Sequence, residues 1–327
     1  MIDELSALIR IKGRFGNVSK GVHLGIGDDA AAVRINPENL LLATVDSQVE
    51  DVHFIKKLIS TKDLARKSVA ISASDIGAMG GIPKFFLASL GISKEEDEGF
   101  LEDLIEGFRR AEEEFGLELI GGNLSGSNKL FIDITVLGEV EPNIMVRRSG
   151  ASPGDAIYVS GTLGDSALGL RVLRSGRRGE GDNYLVSRHV SPKPRLKLGR
   201  ELAKRRLATA MIDISDGLIL DLERITVGFG LGAEIEISRT PISSYYRERI
   251  LDFVSEPYGL ALSGGEDYEL LFTSPKENRE EIKEVSKSLD IDVTEIGCVT
   301  AEPRITVLDL DRKEIKFKER GFIHFNT

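Results

Sequence analysis

Acidic residues recur in this chain at the ends of apolar segments. Gly27-Asp28-Asp29 closes a Gly-rich, strand-like approach, and Asp46 ends the buried-strand pattern Leu40 to Val45. Asp75 falls among Ser72, Ala73, Ser74 and Ala78, and Asp213-Ile-Ser-Asp216 ends an apolar stretch in the second half. Strand alternation puts Asp213 and Ser215 on one face, while Asp216 is placed to cap a following helix. Taken singly, each acid has an ordinary reading as a cap, a turn residue or a surface charge. Taken as a set they differ, because caps do not account for acids inside Ala-, Ser- and Ile-rich runs. Carboxylates buried in such runs need a compensating charge. Hard oxygen ligands of this kind suit Mg²⁺, which takes a few carboxylates, keeps several waters and completes its shell on substrate phosphates. The chemistry they point to is metal-dependent handling of phosphate.

Other segments offer two readings each. Gly161-Thr-Leu-Gly-Asp-Ser166 follows a strand and opens a helix, where free backbone N–H groups hold phosphate, although the same turn serves as a plain connection. Gly121-Gly-Asn123 provides an oxygen ligand or a turn residue, and Arg147 with Arg148 either clamps a phosphate or forms an interdomain surface pair. Glu266, in Gly264-Gly-Glu-Asp-Tyr-Glu269, meets a substrate at a rim or belongs to an ordinary loop. His53 shares the cleft of Asp46 or is structural. The histidines His23, His53, His189 and His324 are scattered without H-E-x-x-H, and no G-x-S-x-G marks a serine nucleophile. A zinc enzyme and a serine hydrolase are both disfavoured.

The elements that must carry these residues alternate. A short amphipathic helix is expected over Ile2 to Ile11, and a helix from Thr61 to the Gly80-Gly81 stop. Strands are expected over Lys84 to Ile92, Leu117 to Ile120 and Leu130 to Val140, with a charged surface helix over Glu95 to Phe115. Pro, Asn, Arg, Ser and Gly accumulate over Glu141 to Pro153, which divides the chain into domains 1–141 and 142–327. Beyond it, strands over Asp155 to Ser160, Ala208 to Ile214, Ala233 to Ile237 and Tyr268 to Thr273 alternate with helices through Leu173, over Arg195 to Arg205, from Asp216 to Val227, over Ile242 to Val254 and over Lys276 to Leu289. Arg174 to Gly181 reads as a polar loop. The expected architecture is two-domain α/β.

Composition narrows the function classes. At 327 residues the chain is long enough for two cores, and Lys+Arg 43 against Asp+Glu 53 leaves a net charge of −10. A broad basic face for nucleic acid is therefore disfavoured. An acidic protein can still bind polyanionic small molecules when metal cations stand between the charges. Cys298 is the only cysteine, so neither an internal disulfide nor a cysteine-based zinc site can form within the chain. Asp3 and Glu4 break any signal-peptide pattern, and Asp75, Pro83 and Lys84 interrupt the most apolar stretch, Ser68 to Ile92. A cytoplasmic protein without a membrane span is expected.

An ordered series of segments carries a resemblance. Gly25-Ile-Gly-Asp-Asp-Ala30, Thr44-Val-Asp46 with Val52-His-Phe54, Ser74-Asp-Ile-Gly-Ala-Met-Gly80, Arg148-Ser-Gly-Ala-Ser-Pro-Gly-Asp155, Ser160-Gly-Thr-Leu-Gly-Asp-Ser-Ala167, Ile212-Asp-Ile-Ser-Asp-Gly-Leu218 and Ser263-Gly-Gly-Glu-Asp-Tyr-Glu-Leu270 stand in the order found in thiamine-monophosphate kinases. Arg188-His189 and Pro192 to Gly199 add to it, and the match runs from about residue 23 to Gly321-Phe-Ile-His-Phe325. The resemblance implies the aminoimidazole-ribonucleotide-synthetase-like fold: an N-terminal α/β domain with a mixed sheet, through which the chain forms a homodimer, and a C-terminal α/β domain closing over nucleotide. It implies direct transfer of the ATP γ-phosphate to thiamine monophosphate, with several Mg²⁺ ions and no covalent nucleophile. By position, Asp29, Thr44, Val45 through its carbonyl, Asp46, Asp75 and Asp213 resemble Mg²⁺ ligands, with Asp216 on a further ion. Gly122, Asn123, Arg148 and Ser215 resemble ATP contacts, and His53, Glu266 and Phe322 resemble contacts to the thiamine part. Asn123 stands where the family often has Asp, also a metal position; its amide oxygen can ligate Mg²⁺ but carries no charge. The alternatives are another ATP-using enzyme of the same superfamily and a non-catalytic, acidic Ca²⁺- or Mg²⁺-binding protein.

Overall fold

The computed structural model describes residues 22–25, 28–176, 179–315 and 320–322. The helix expected over Ile2 to Ile11 lies outside the described residues. The first half folds around one sheet built from β1 (Val22–Leu24), β2 (Ala31–Arg34), β3 (Leu40–Val49), β4 (Ile82–Ile92), β5 (Glu118–Gly126) and β6 (Phe131–Val140). Their order is β1-β2-β3-β6-β4-β5, with β4 and β5 parallel and the other neighbours antiparallel. β6 alternates half-buried and buried residues along its length, the period-2 signature of a sheet with one face on the core.

Two helices cover that core face. In α1 (Thr61–Ala78), the Ser60 hydroxyl accepts the Asp63 amide at 3.1 Å to start the helix, and Gly80, in the left-handed region at φ 71°, ends it. Its Leu64, Val69, Ala73 and Ile76 are buried in the core of the first half, and Ser68, Ala70, Ser72, Ser74 and Ala78 are buried with Arg66 and Lys67 around the rest of the helix. A helix buried around its circumference is one packed on every side. α2 (Glu98–Phe115) is instead amphipathic, capped by Asp97 and closed by left-handed Gly116, and it buries Phe100, Leu104 and Phe108. Gly107 allows its crossing with α1, since a Cβ there would stand 2.3 Å from the Lys62 carbonyl oxygen.

The second half forms another sheet from β7 (Ala156–Ser160), β8 (Ala210–Asp213), β9 (Gly232–Glu236), β10 (Leu270–Ser274), β11 (Val293–Thr300) and β12 (Ile305–Leu308), in the order β12-β9-β11-β7-β10-β8. β7, β8 and β10 are buried throughout because both sheet faces are covered. Ile157, Val159, Ile212 and Leu271 enter one core with α3 (Asp165–Ser175), α4 (Asp182–Val190) and α6 (Leu218–Ile225). Tyr158, Met211, Leu270 and Phe272 enter the other, with α5 (Leu196–Lys204) and α9 (Arg279–Leu289). Ala78 of α1 belongs to this second core, so the two halves share apolar packing. The expected helix over Ile242 to Val254 is shorter: α7 (Ser244–Arg249) passes into a 3₁₀ turn at Ile250–Asp252. α8 (Gly259–Ser263) and α4 had no expected counterpart, and α4 begins directly after the anticipated polar loop, with Gly181 as its N-cap.

The seam between the halves is α1 against α5. A Cβ on Gly199 would lie 2.0 Å from the Gly77 carbonyl oxygen, and one on Gly80 would lie 2.3 Å from Ala203 Cβ. Arg200 closes the end of the seam, donating to both Glu141 carboxylate oxygens at 2.7 Å and to the Gly80 carbonyl at 3.2 Å.

Candidate active site

Four chain segments meet at this seam. One carboxylate oxygen each from Asp29, Asp75 and Asp213 lies within 4.8 Å of the other two. Asp29 follows the turn before β2, Asp75 projects from α1 and Asp213 ends β8, so both halves contribute. Thr44 on β3 donates its hydroxyl to Asp75 Oδ2 at 2.5 Å. Asp46, two residues along the same strand, has a buried Oδ2 with no hydrogen-bond partner among the described residues. An unpartnered buried carboxylate oxygen beside three converging acids is a set of hard oxygen donors whose crowded like charges a cation would compensate.

The electrostatics agree. Burial pushes the Asp75 carboxyl well above its ordinary range, and Asp46, Asp213 and Asp29 push it further against the Thr44 hydrogen bond. Burial raises Asp213 likewise, with Asp29 adding to it. Asp46 is raised by burial first and then by Asp29 and Asp216, against a hydrogen bond from Ser72. Like charges crowded in a low-dielectric site oppose one another's ionisation. The positive charge supplied by the chain is Arg148, whose Nε and Nη2 each donate to Asp29 at 2.9 Å. Asp28 fixes that arginine's backbone, accepting its amide at 3.2 Å, and burial with the neighbouring Asp29 charge brings the Asp28 carboxyl up to about 6.

Asp216 lies at the next turn. Arg224 pairs with it at 2.5 Å, and Asp221 accepts the backbone amides of Ser215, Asp216 and Gly217 at 3.1, 3.1 and 3.2 Å. Asp221 thus caps α6 from within, the role expected of Asp216, and leaves Asp216 facing a cleft of about 1080 Å³. Asp46, Val45, His53, Ser215, Glu266 and Phe322 all line this cleft. His53 Nδ1 accepts the Val49 amide at 3.0 Å, which turns its other nitrogen away from the backbone. The Phe322 amide donates to the Asp216 carbonyl at 2.9 Å, bringing the C-terminal segment to the cleft.

Several expectations change. The amides of Gly164 and Ser166, in the turn read as a phosphate cradle, donate to buried Asp267 at 2.6 and 3.2 Å. An internal carboxylate already occupies the place a phosphate would take. Gly121, Gly122 and Asn123 do not follow a strand; they lie inside β5, which runs on to Gly126. β5 is separated from β3 by β6 and β4, roughly 14 Å in all. Asn123 is exposed there, donating to Ser125 at 2.9 Å, and neither it nor Gly122 joins the acidic junction within one chain. The two arginines divide: Arg148 holds Asp29, whereas Arg147 approaches His23 at 3.2 Å.

Residues missed in the sequence include Lys67, Gln48 and Tyr268. Lys67 is fully buried with its Nζ 3.0 Å from Glu266 Oε1, and Gln48 lines the cleft with a buried Oε1 that has no hydrogen-bond partner among the described residues. For Gln48 and Tyr268 only their place along the cleft marks them. Lys67 has the Leu64, Ile71 and Asp75 spacing of one helix face, which was the available signal.

Two α/β halves, each built on a six-stranded sheet, with carboxylates from both converging beside a shared cleft, define a two-domain phosphate-handling enzyme of the AIR synthase type. The family "AIR synthase related protein, N-terminal domain" matches residues 27–140, and its C-terminal counterpart matches residues 152–309. The thiamine-monophosphate kinase of Haemophilus influenzae is 40% identical over 316 residues, covering 94% of this chain and 93% of that protein. That of Buchnera aphidicola subsp. Acyrthosiphon pisum is 38% identical over 307 residues, covering 92% of each. A solved structure described as AaThiL complexed with AMPPCP and TMP superposes with a TM-score of 0.87 at 34% identity, covering 99% of this chain and 97% of the other. The chain belongs to the thiamine-monophosphate kinase family.

Proposed function

We propose that the acidic junction is the phosphoryl-transfer centre of a thiamine-monophosphate kinase, which moves the γ-phosphate of ATP directly onto the phosphate of thiamine monophosphate and releases ADP and thiamine diphosphate. The convergence of Asp29, Asp75 and Asp213, next to the cleft-lining Asp46, carries this reading. Both reacting groups are anions, and each pair of unit charges at 4 Å opposes approach by roughly 4 kcal/mol at an effective dielectric near 20. The acceptor oxygen is already ionised at neutral pH, so no general base is required. Asp29, Thr44, the Val45 carbonyl, Asp46, Asp75 and Asp213 would hold Mg²⁺, with Asp216 on a further ion. Bound there, Mg²⁺ supplies positive charge between the two phosphates and to the transition state.

The chain's own part is positioning. Thr44 fixes the Asp75 carboxylate, and Arg148 holds Asp29 until a nucleotide phosphate competes for the guanidinium. Ser215, at the cleft wall, faces the nucleotide, and His53, Glu266 and Phe322 receive the thiamine rings at the other end. A phosphorus NMR time course with ATP, Mg²⁺ and thiamine monophosphate tests this: thiamine diphosphate and ADP should grow together, and neither without metal or acceptor. ATP consumed without the acceptor, or left untouched with it, would reject the assignment.

Protons compete with a cation for these carboxylates. An unfolded Asp releases its proton near pH 4, whereas Asp75 and Asp213 retain theirs to higher pH when folded. Their contribution to metal-free stability is therefore complete below about pH 4 and lost as pH rises through the raised folded values. Metal binding removes that loss, so the increase in melting temperature caused by Mg²⁺ should grow from pH 5 to pH 8. A Mg²⁺ effect that is flat or shrinks across this range would place the ion elsewhere.

A homodimer fits the exposed side of the first sheet. Leu119, Ile120 and Leu124 on β5 are 42, 53 and 65% exposed, and among the described residues no strand pairs with the outer edge of β5. Gly122 and Asn123 stand on the surface such a dimer would cover, where a partner's cleft can use them. Leu124→Asp should shift the protein to monomer in analytical ultracentrifugation; a wild-type protein that sediments as monomer at micromolar concentration would end this proposal. Among the described residues no helix is long and apolar enough to cross a membrane. ATP as substrate and a lone Cys298 fit a cytoplasmic setting.

A further inference from the structure

A buried cation behind the cleft residue Glu266 has no part in the transfer step. Lys67 is 0% exposed, and its ammonium lies 3.0 Å from Glu266 Oε1. A buried ammonium is costly unless paired, and Glu266 is the carboxylate that pairs it. Lys67 belongs to α1 of the first half, whereas Glu266 belongs to the loop after α8 of the second, so the pair crosses the domain seam. On its other side Glu266 Oε2 meets His189 Nδ1 at 3.2 Å, and that nitrogen lies 3.1 Å from Ser166 Oγ. Burial first, then Lys67, brings the imidazole down to about 4, so it is neutral at pH 7. The carboxylate then selects the tautomer with the proton on Nδ1.

The backbone of Glu266 is also held. Its φ of 67° lies in the left-handed region, which a residue with a side chain occupies only when its surroundings enforce it. The enforcement is visible: its amide donates to the Ser215 carbonyl at 2.8 Å, and a Cβ on the preceding Gly265 would lie 2.4 Å from that same oxygen. The side chain remains 26% exposed and lines the cleft. Burial alone would raise its carboxyl, but Lys67 and His189 reverse this and hold it below the ordinary range.

We propose that Lys67 is a positioning residue for substrate recognition, fixing Glu266 across the seam so that its carboxylate accepts hydrogen bonds from the aminopyrimidine of thiamine monophosphate. The inference rests on the reading of the cleft as the thiamine-monophosphate site. Its geometry follows from one helix face: Lys67, Ile71 and Asp75 are spaced by single turns, Ile71 lines the cleft and Asp75 joins the acidic junction. Eight residues of helix separate the recognition end from the transfer end by roughly 12 Å. α1 thus acts as a ruler, with the phosphate end of the substrate at Asp75 and the ring end at Lys67.

Lys67→Met keeps the hydrocarbon stem and removes the charge, so the buried position stays filled. Steady-state kinetics should show the KM for thiamine monophosphate raised by about tenfold or more, with kcat and the KM for ATP changed less than about twofold. Glu266→Gln should share that phenotype, and adding Lys67→Met to it should raise the KM no further, because Lys67 acts through Glu266. If the Met variant melts early, Lys67→Gln, which retains a donor, carries the same comparison. An unchanged KM for thiamine monophosphate in a folded Lys67 variant would overturn the inference, as would effects that multiply in the double variant or that fall equally on kcat and ATP. Wild-type protein unable to use thiamine monophosphate would overturn the functional reading and this inference with it; wild-type turnover with an unaffected Lys67 variant overturns this inference alone.

Discussion

Asp46→Asn protein should fold, melt higher than wild type in the presence of chelator, and turn over at least on the order of 10³-fold more slowly. The opposite signs come from one cause. Without metal, Asp46 adds a carboxylate to a junction already holding Asp29, Asp75 and Asp213, and its Oδ2 is buried without a partner among the described residues. Replacing it with an amide removes repulsion from Asp29 and Asp216, the charges that raise its carboxyl after burial. With Mg²⁺ and ATP the same repulsion is the binding energy for cations, and a neutral amide cannot supply it. The decisive comparison is the melting temperature of both proteins with chelator and with saturating Mg²⁺, alongside kcat. Near-normal turnover would remove Asp46 from the mechanism. Lost turnover with an unchanged Mg²⁺-induced stabilisation would make Asp46 something other than a ligand.

How far the sequence reaches depends on whether a feature is local. α1 could be placed closely because Ser60 and Gly80 bracket it in sequence, and β6 because its alternation is uninterrupted. The aspartates of the junction could be picked out because acids inside small-residue runs are locally inconsistent, and such inconsistencies mark sites. Three kinds of feature were not local. Asp267 fills the Gly161–Ser166 turn from a hundred residues away, so a turn that looks vacant in sequence is closed in the fold. Gly121-Gly-Asn123 reads in sequence as lying beyond a strand, as an oxygen ligand or a turn, because glycines disfavour strand, yet parallel pairing with β4 carries β5 through them. Lys67 lies on a different segment from Glu266, and only its distance from that carboxylate gives it a role. The ligand assignments for Thr44 and Val45 come from resemblance alone; in the fold the Thr44 hydroxyl donates to Asp75, which holds that carboxylate in place.

Gly199→Ala should destabilise the protein and lower kcat by roughly 10–100-fold, although in an isolated helix the change is favourable by about 0.5–1 kcal/mol. Gly199 lies inside α5 with ordinary helical backbone, so glycine is not there for its conformational freedom. It is there for the seam: the added Cβ would stand 2.0 Å from the Gly77 carbonyl oxygen and 2.9 Å from its carbon. Relief requires α1 and α5 to part by about 1 Å, since interiors packed at crystal density do not absorb a methyl group. Asp75 rides on α1 while Asp213 ends β8, so parting the seam pulls the acidic junction apart from the two sides at once. It also draws Lys67 away from Glu266, which couples a fault in packing to both ends of the cleft. The variant is best read by thermal melting, by the Mg²⁺-induced shift and by kcat, with exposed Lys197→Ala on the same helix as the control. A Gly199→Ala protein that melts above wild type with full activity would mean that the helices separate without cost and that the seam does not set the distance between the two sets of carboxylates. Lost activity with a normal melting temperature would carry the same argument further: the fold tolerates the displacement, and the chemistry, which depends on oxygens held within 4.8 Å of one another, does not.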